Sequence, residues 1–152
     1  MTDNFGNGIQ FNVITTVFED NQKNIWVGTD GYGLCKINPS KNEITWFNSK
    51  DNFIQQSVVS ITQTQKNNIW FAGNNGITKL DVEKNVFTNF NTQDGLLSKS
   101  FNKNAIYLTK ENWLFFGCFK GVHYFDPEAI KMNSKTPIVY FSDFKLSNKS
   151  IK

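Results

Sequence analysis

The sequence predicts an all-β chain: a partial β-propeller of about three four-stranded antiparallel blades, followed by one strand that enters a different β domain. Two observations carry this. Asn24-Ile25-Trp26-Val27-Gly28-Thr29 returns as Asn68-Ile69-Trp70-Phe71-Ala72-Gly73, and again as Trp113-Leu114-Phe115-Phe116-Gly117-Cys118. Trp26 to Trp70 is 44 residues and Trp70 to Phe115 is 45, a period that marks an array of one supersecondary unit. Around each copy lie short β-rich runs separated by Asn, Asp, Gly and Lys turns, with no sustained helical period.

Each unit opens with an apolar run: Val13-Ile14-Thr15-Thr16-Val17, Val58-Val59-Ser60-Ile61-Thr62 and Asn104-Ala105-Ile106-Tyr107-Leu108. A polar turn leads to the aromatic strand. A glycine-containing turn then leads to a third strand, beginning at Gly33, Gly76 and Gly121. A fourth strand ends in an aromatic in the first two units, at Phe47 and Phe90. Four strands in about 40–45 residues fit a propeller blade, a unit too small to be stable without neighbours on both faces. Trp26, Trp70 and Phe115 are therefore expected as structural anchors, wedged between adjacent sheets. The expected division is an inter-blade connector of a truncated preceding blade over 1–12, blades over 13–57, 58–100 and 101–136, and over 137–152 a linker with the first strand of a following domain.

Aromatic residues make up 15% of the 152, so the core is expected to be built from large rings. Net charge is +3, and all 16 basic residues are lysine. Without arginine the chain lacks the bidentate fork used on phosphates and guanine edges, and the lysines are scattered at turns, which argues against nucleic-acid binding. No apolar run is long enough to span a membrane, and no membrane contact is expected of this segment. Cys35 and Cys118 lack metal-ligand spacing, and no Ca²⁺ loop is present, so no metal or cofactor is expected.

Val17-Phe18-Glu19-Asp20 followed by Asn24 to Leu34 resembles the two-component regulator propeller repeat. Phe90-Asn91-Thr92-Gln93-Asp94-Gly95-Leu96 is similar to that family's inter-blade connector, and Leu114 to Pro127 to its last blade. The tail from Pro137 to Asn148 resembles the entry strand of the immunoglobulin-like triple-tyrosine domain that follows the propeller there. The resemblance implies the periplasmic sensor of a Bacteroidetes-type hybrid histidine kinase, a homodimeric parent, an oligosaccharide ligand and control of glycan-utilisation genes. One departure is plain: Gln63-Thr64 stands where unit one has Glu19-Asp20.

Strand direction places the turns between strands two and three at the same end as the inter-blade connectors. That end holds Asp30, Tyr32, Asn74, Asn75, Phe119 and Lys120, the candidate ligand-binding residues. Amides and carboxylates bond hydroxyls and rings stack on sugar faces; the same residue types also serve as ordinary turn formers. His123 is expected as a structural strand histidine. No catalytic residue is expected, because Glu19 and Asp20 face opposite ways on a strand and no second carboxylate is fixed for glycosidase chemistry. Two alternatives stay open: a fragment of a propeller lyase or hydrolase, and a protein-interaction scaffold.

Overall fold

The computed structural model describes residues 13–130 throughout. Outside them it describes only the backbone of two short antiparallel pairs, Thr2–Asp3 with Gly6–Asn7 and Lys145–Leu146 with Lys149–Ser150. The rest of the expected connector over 1–12, and most of the expected strand over Pro137–Asn148, lie outside the described residues.

Three antiparallel sheets follow one another along the chain. The first contains β1 (Ile14–Glu19), β2 (Ile25–Thr29), β3 (Leu34–Asn38) and β4 (Glu43–Phe47), paired in that order. The second contains β5 (Val58–Gln63), β6 (Ile69–Gly73), β7 (Ile77–Asp81) and β8 (Val86–Phe90). The third contains β9 (Phe101–Leu108), β10 (Leu114–Cys118) and β11 (Gly121–Phe125). The third sheet thus has three strands among the described residues, where four were expected. After Phe125 the chain turns at Asp126, whose carbonyl accepts from the Ala129 amide, and no fourth strand follows before Ile130.

The first strands of successive sheets lie side by side, as the inner wall of a propeller requires. The Thr15 hydroxyl donates to the Val58 carbonyl, and the Ser60 hydroxyl donates to the Asn102 carbonyl at 3.2 Å. Gly28 sits at this seam. A Cβ there would lie 2.7 Å from the Val58 carbonyl oxygen, so a larger residue would push the second sheet away.

Apolar residues on both faces of the middle sheet build two cores. Between the first and second sheets Trp26, Leu34 and Phe47 meet Phe53, Ile61, Ile69, Phe71, Leu80 and Phe87. Trp26 stacks on Phe47 with centroids 5.7 Å apart and tilts against Phe71 at 5.6 Å. Between the second and third sheets Trp70 repeats the stack, on Phe90 at 5.7 Å, and tilts against Phe125 at 5.4 Å, a residue at the register of Leu80. Lys36 and Lys79 lie over the two indoles at 5.3 and 5.9 Å, a cation–π contact repeated with the period.

Phe115 departs from the expected wedge. It holds the same register, opposite Tyr107 as Trp26 is opposite Phe18. It is only half-buried, and its ring stacks on exposed Tyr124 at 5.5 Å. The reason is position: among the described residues no further sheet covers that face.

The turns explain the wealth of asparagine. Asn42 and Asn85, at matching places between strands three and four, both have φ 53°. Lys23, Asn67 and Asn112 take φ of 65°, 60° and 65° at matching places between strands one and two. Asparagine tolerates this left-handed region better than most non-glycine residues.

Candidate functional site

Connectors and turns converge at one end of the array. Each complete blade passes to the next through a one-turn 3₁₀ segment, Ser49–Asp51 or Thr92–Asp94. Asn48 and Asn91 cap these turns, each accepting from the backbone N–H two residues on, while Asp51 and Asp94 accept from the Asn48 and Asn91 amides. The chain then runs back across the top of the sheet it has left. There the Gly33 and Gly76 amides donate to the Gln56 and Lys99 carbonyls, both at 2.7 Å.

Three of the candidate polar residues hold this connector. The Asp30 carboxylate accepts from the Ser57 hydroxyl at 2.5 Å, and the Gly31 amide donates to that same hydroxyl. The Asn74 side-chain oxygen accepts from the Ser57 amide at 3.2 Å. Asn75 donates its backbone N–H to Gln55 Oε1 and its side-chain N–H to the Ile54 carbonyl, both at 2.9 Å. Tyr32, Phe119 and Lys120 project outward instead, Phe119 being 90% exposed. The structure therefore brings Asp30, Asn74 and Asn75 together around Ser57 and Gln55, and leaves Phe119 and Lys120 on the neighbouring turn of the third sheet.

Two open clefts flank the connectors. One, of about 230 Å³, is lined by Tyr32, Asn48, Ser49, Ile54, Gln55 and Gln56 among others. The other, of about 240 Å³, is lined by Ile54, Asn75, Asn91, Thr92, Gln93 and Lys99. They are one place seen twice: Asn48 and Asn91 are the same cap in successive repeats, as are Ser49 and Thr92. Amides and hydroxyls make both hydrogen-bond capable, and the first also has the rings of Tyr32, Phe47 and Phe53 in its lining. Ser57, Asn91 and Gln93 were not among the residues singled out from sequence; their only signal was membership of the connector.

The carboxylate pair at 19–20 is structural. Glu19 is exposed and pairs with Lys23 at 2.6 Å. Asp20 is buried and accepts from the Trp26 indole Nε1 at 2.8 Å, from the Asn24 amide and side chain, and from the Gln22 amide. Burial pushes its pKa up, but these hydrogen bonds outweigh that and hold the carboxyl below its ordinary value. In the second blade Thr64 takes its place, and the Trp70 Nε1 has no hydrogen-bond partner among the described residues. His123 Nε2 accepts from the Leu97 amide at 2.6 Å, and burial lowers its pKa. It thus holds the second connector rather than presenting a catalytic base.

Comparison with known proteins fits this geometry. The family described as two component regulator propeller matches residues 8–31. A curated relative, Histidine kinase P4 of Formosa agariphila, is 33% identical over 145 residues, covering 95% of this chain and 7% of that protein. Over residues 8–31 the chain thus matches the two-component regulator propeller repeat. Two solved structures share the fold of these repeats. The extracellular domain of BT3049 from B. thetaiotaomicron, assigned to a hybrid two component system, superposes with TM-score 0.71 at 19% identity, over 91% of this chain and 20% of that one. The extracellular domain of BT4673 from the same organism superposes with TM-score 0.62 at 18% identity, over 76% of this chain and 16% of that one. The propeller-repeat chain thus spans a small fraction of each of these relatives.

Proposed function

We propose that this propeller segment is the non-catalytic, ligand-sensing part of a hybrid two-component sensor, held on the periplasmic side of the membrane. Its ligand is an oligosaccharide, and the response is transcription of glycan-utilisation genes. The observation that carries the reading is the pair of repeat-equivalent clefts at the connector end, where a chain of repeating sugar units could be met by repeating amide and hydroxyl groups. Support comes also from the similarity to a histidine kinase and to extracellular domains of two-component systems. Tyr32 and Phe119 supply rings for stacking. Asp30, Asn74 and Asn75 act indirectly, by fixing the connector that forms the cleft walls, and Lys120 supplies charge at the rim. The signal passes to the following immunoglobulin-like domain of a homodimeric parent through residues 137–148.

The test is a glycan-array screen on the complete extracellular region, followed by calorimetry. Tyr32→Ala is expected to weaken glycan binding by roughly tenfold, the loss of one stacked ring. Unchanged glycan affinity in a folded variant removes Tyr32 from the site, and no glycan bound by the unaltered region refutes the sugar reading. A linker swap over 137–148 that leaves signalling intact refutes the proposed route of transmission.

A further inference from the structure

The two connector clefts meet at Ile54, which lines both of them. Its carbonyl accepts from the Asn75 side-chain N–H at 2.9 Å. The next residue, Gln55, is 2% exposed; its Oε1 accepts from the Asn75 amide at 2.9 Å, and its Nε2 donates to the Thr78 hydroxyl at 3.1 Å. A buried side chain bonded at both ends fixes the saddle between the clefts. One extended ligand crossing Ile54 reaches both.

The repeat shows where the clefts differ. The Gly33 and Gly76 amides hold the Gln56 and Lys99 carbonyls, both at 2.7 Å, so these side chains leave equivalent points of successive connectors. The residues before the two glycines are Tyr32 and Asn75. The first cleft thus has a phenol and an amide where the second has an amide and an ammonium. The caps do not offset this difference. Asp51 and Asp94 hold the same place in both connectors, each accepting from the amide of its asparagine cap. Lys50, the counterpart of Gln93, lies outside the lining of the first cleft.

Lys99 is exposed and makes no ion pair among the described residues. The pairs Lys23–Glu19, Lys66–Glu128 and Lys84–Asp81 all lie at the opposite end of the sheets. Among the described residues, no carboxylate lines the second cleft beside Lys99. One repeat further on, Lys120 stands at the place of Tyr32 and Asn75, so the same sign of charge continues along the rim.

We propose that the two clefts together take a linear acidic oligosaccharide of at least two units. One sugar ring lies against Tyr32 in the first cleft. An anionic substituent of the next, a uronate carboxylate or a sulfate ester, lies against Lys99 in the second. An ammonium among amide donors holds an anion through charge-assisted hydrogen bonds, which a neutral sugar does not form. The proposal rests on the sugar reading above and adds length and charge to it.

The experiment uses the same extracellular region as the glycan screen. The probes are uronate oligosaccharides with their carboxyl-reduced counterparts, and sulfated oligosaccharides with their desulfated counterparts, each also as the single sugar. Calorimetry is expected to show one acidic series bound more tightly than its neutral match, and the oligomer more tightly than the single sugar. The series that binds distinguishes carboxylate from sulfate. Lys99→Gln, which copies the Gln56 of the first cleft, is expected to lower the acidic-over-neutral preference by about three- to tenfold. Raising sodium chloride from about 0.05 to about 0.5 M should lower the same preference in the unaltered protein by screening the contact. Lys41→Gln, which removes an equal charge at the far end, should leave the preference as it was. Neutral glycans bound as well as acidic ones would overturn this proposal and leave the sugar reading standing. So would a single sugar bound as tightly as its oligomer, or an equal loss of preference in Lys41→Gln. No glycan bound at all would overturn both.

Discussion

Thr64→Asp is expected to stabilise the protein at neutral pH. Asp20 shows what the missing carboxylate does: it receives the Trp26 indole N–H at 2.8 Å and closes the turn through the Asn24 and Gln22 amides. At the equivalent place the Thr64 hydroxyl donates to the Asn68 carbonyl over 3.3 Å, and the Trp70 Nε1 is left without a partner among the described residues. A buried unpaired donor costs about 1–3 kcal/mol, and a hydrogen bond to a charged acceptor contributes about 1.5–3 kcal/mol. Against this stands the several kcal/mol needed to desolvate a carboxylate. At Asp20 the hydrogen bonds outweigh desolvation, since that carboxyl ionises more readily than normal. The expected net gain is therefore about 1 kcal/mol, or about 3–5 °C in Tm. The assay is urea unfolding followed by tryptophan fluorescence at pH 7 and pH 3. If the introduced carboxyl ionises as Asp20 does, with its folded pKa lowered, its contribution is present above the unfolded value near 4 and is lost as pH falls through the folded one. A variant less stable than the parent at pH 7, or equally stabilised at pH 3, would refute the reasoning.

Three further outcomes follow from the packing. Trp70→Ala should cost about 3–5 kcal/mol in denaturant unfolding, and Phe115→Ala less than half of that, because one ring is enclosed by two sheets and the other is half-exposed; equal losses would contradict the assignment of an open face. Burial pushes the Cys35 thiol up to about 12, so this cysteine should resist an aromatic disulfide reagent at pH 8 until denaturant is added, and rapid labelling of Cys35 in the native protein would contradict its burial. His123 has its folded pKa lowered by burial, so the stability it contributes is complete above its unfolded pKa near 6.5 and is lost as pH falls through the folded value; His123→Gln should flatten that acid-side slope, and an unchanged slope would show that another group carries it.

The propeller was legible because its cause is periodic. Trp26 and Trp70 recur with the strand that carries them, and a ring at that register meets the next sheet wherever one is present. Phe115 shows the limit of the argument, since register follows from local sequence but burial needs a neighbour. The departure of Gln63-Thr64 from Glu19-Asp20 was visible in the sequence. Its consequence was not, because only the fold shows the Asp20 carboxylate reaching the Trp26 indole. At the connector end the residues were legible in the sequence and the hydrogen bonds they make were not. Asp30, Asn74 and Asn75 spend their hydrogen bonds on Ser57, Gln55 and Ile54, and nothing in the sequence distinguishes a latch from a ligand contact when both use short amides and carboxylates. The clefts follow from the path of the connector over Gly33 and Gly76, a non-local fact. At Gly76 the backbone has φ 99°, and an added Cβ would lie 2.0 Å from the Phe90 carbonyl oxygen, so glycine there follows from the turn and the close approach together.

The face-to-face stacking of aromatic-anchored sheets is tested most directly by proton Overhauser effects from the two indoles. Stacked blades place the Trp26 ring 5.6 Å from Phe71 and the Trp70 ring 5.4 Å from Phe125, centroid to centroid, so cross-peaks are expected for Trp26 with Phe71 and for Trp70 with Phe125. Cross-peaks confined to residues of each tryptophan's own sheet would contradict the account.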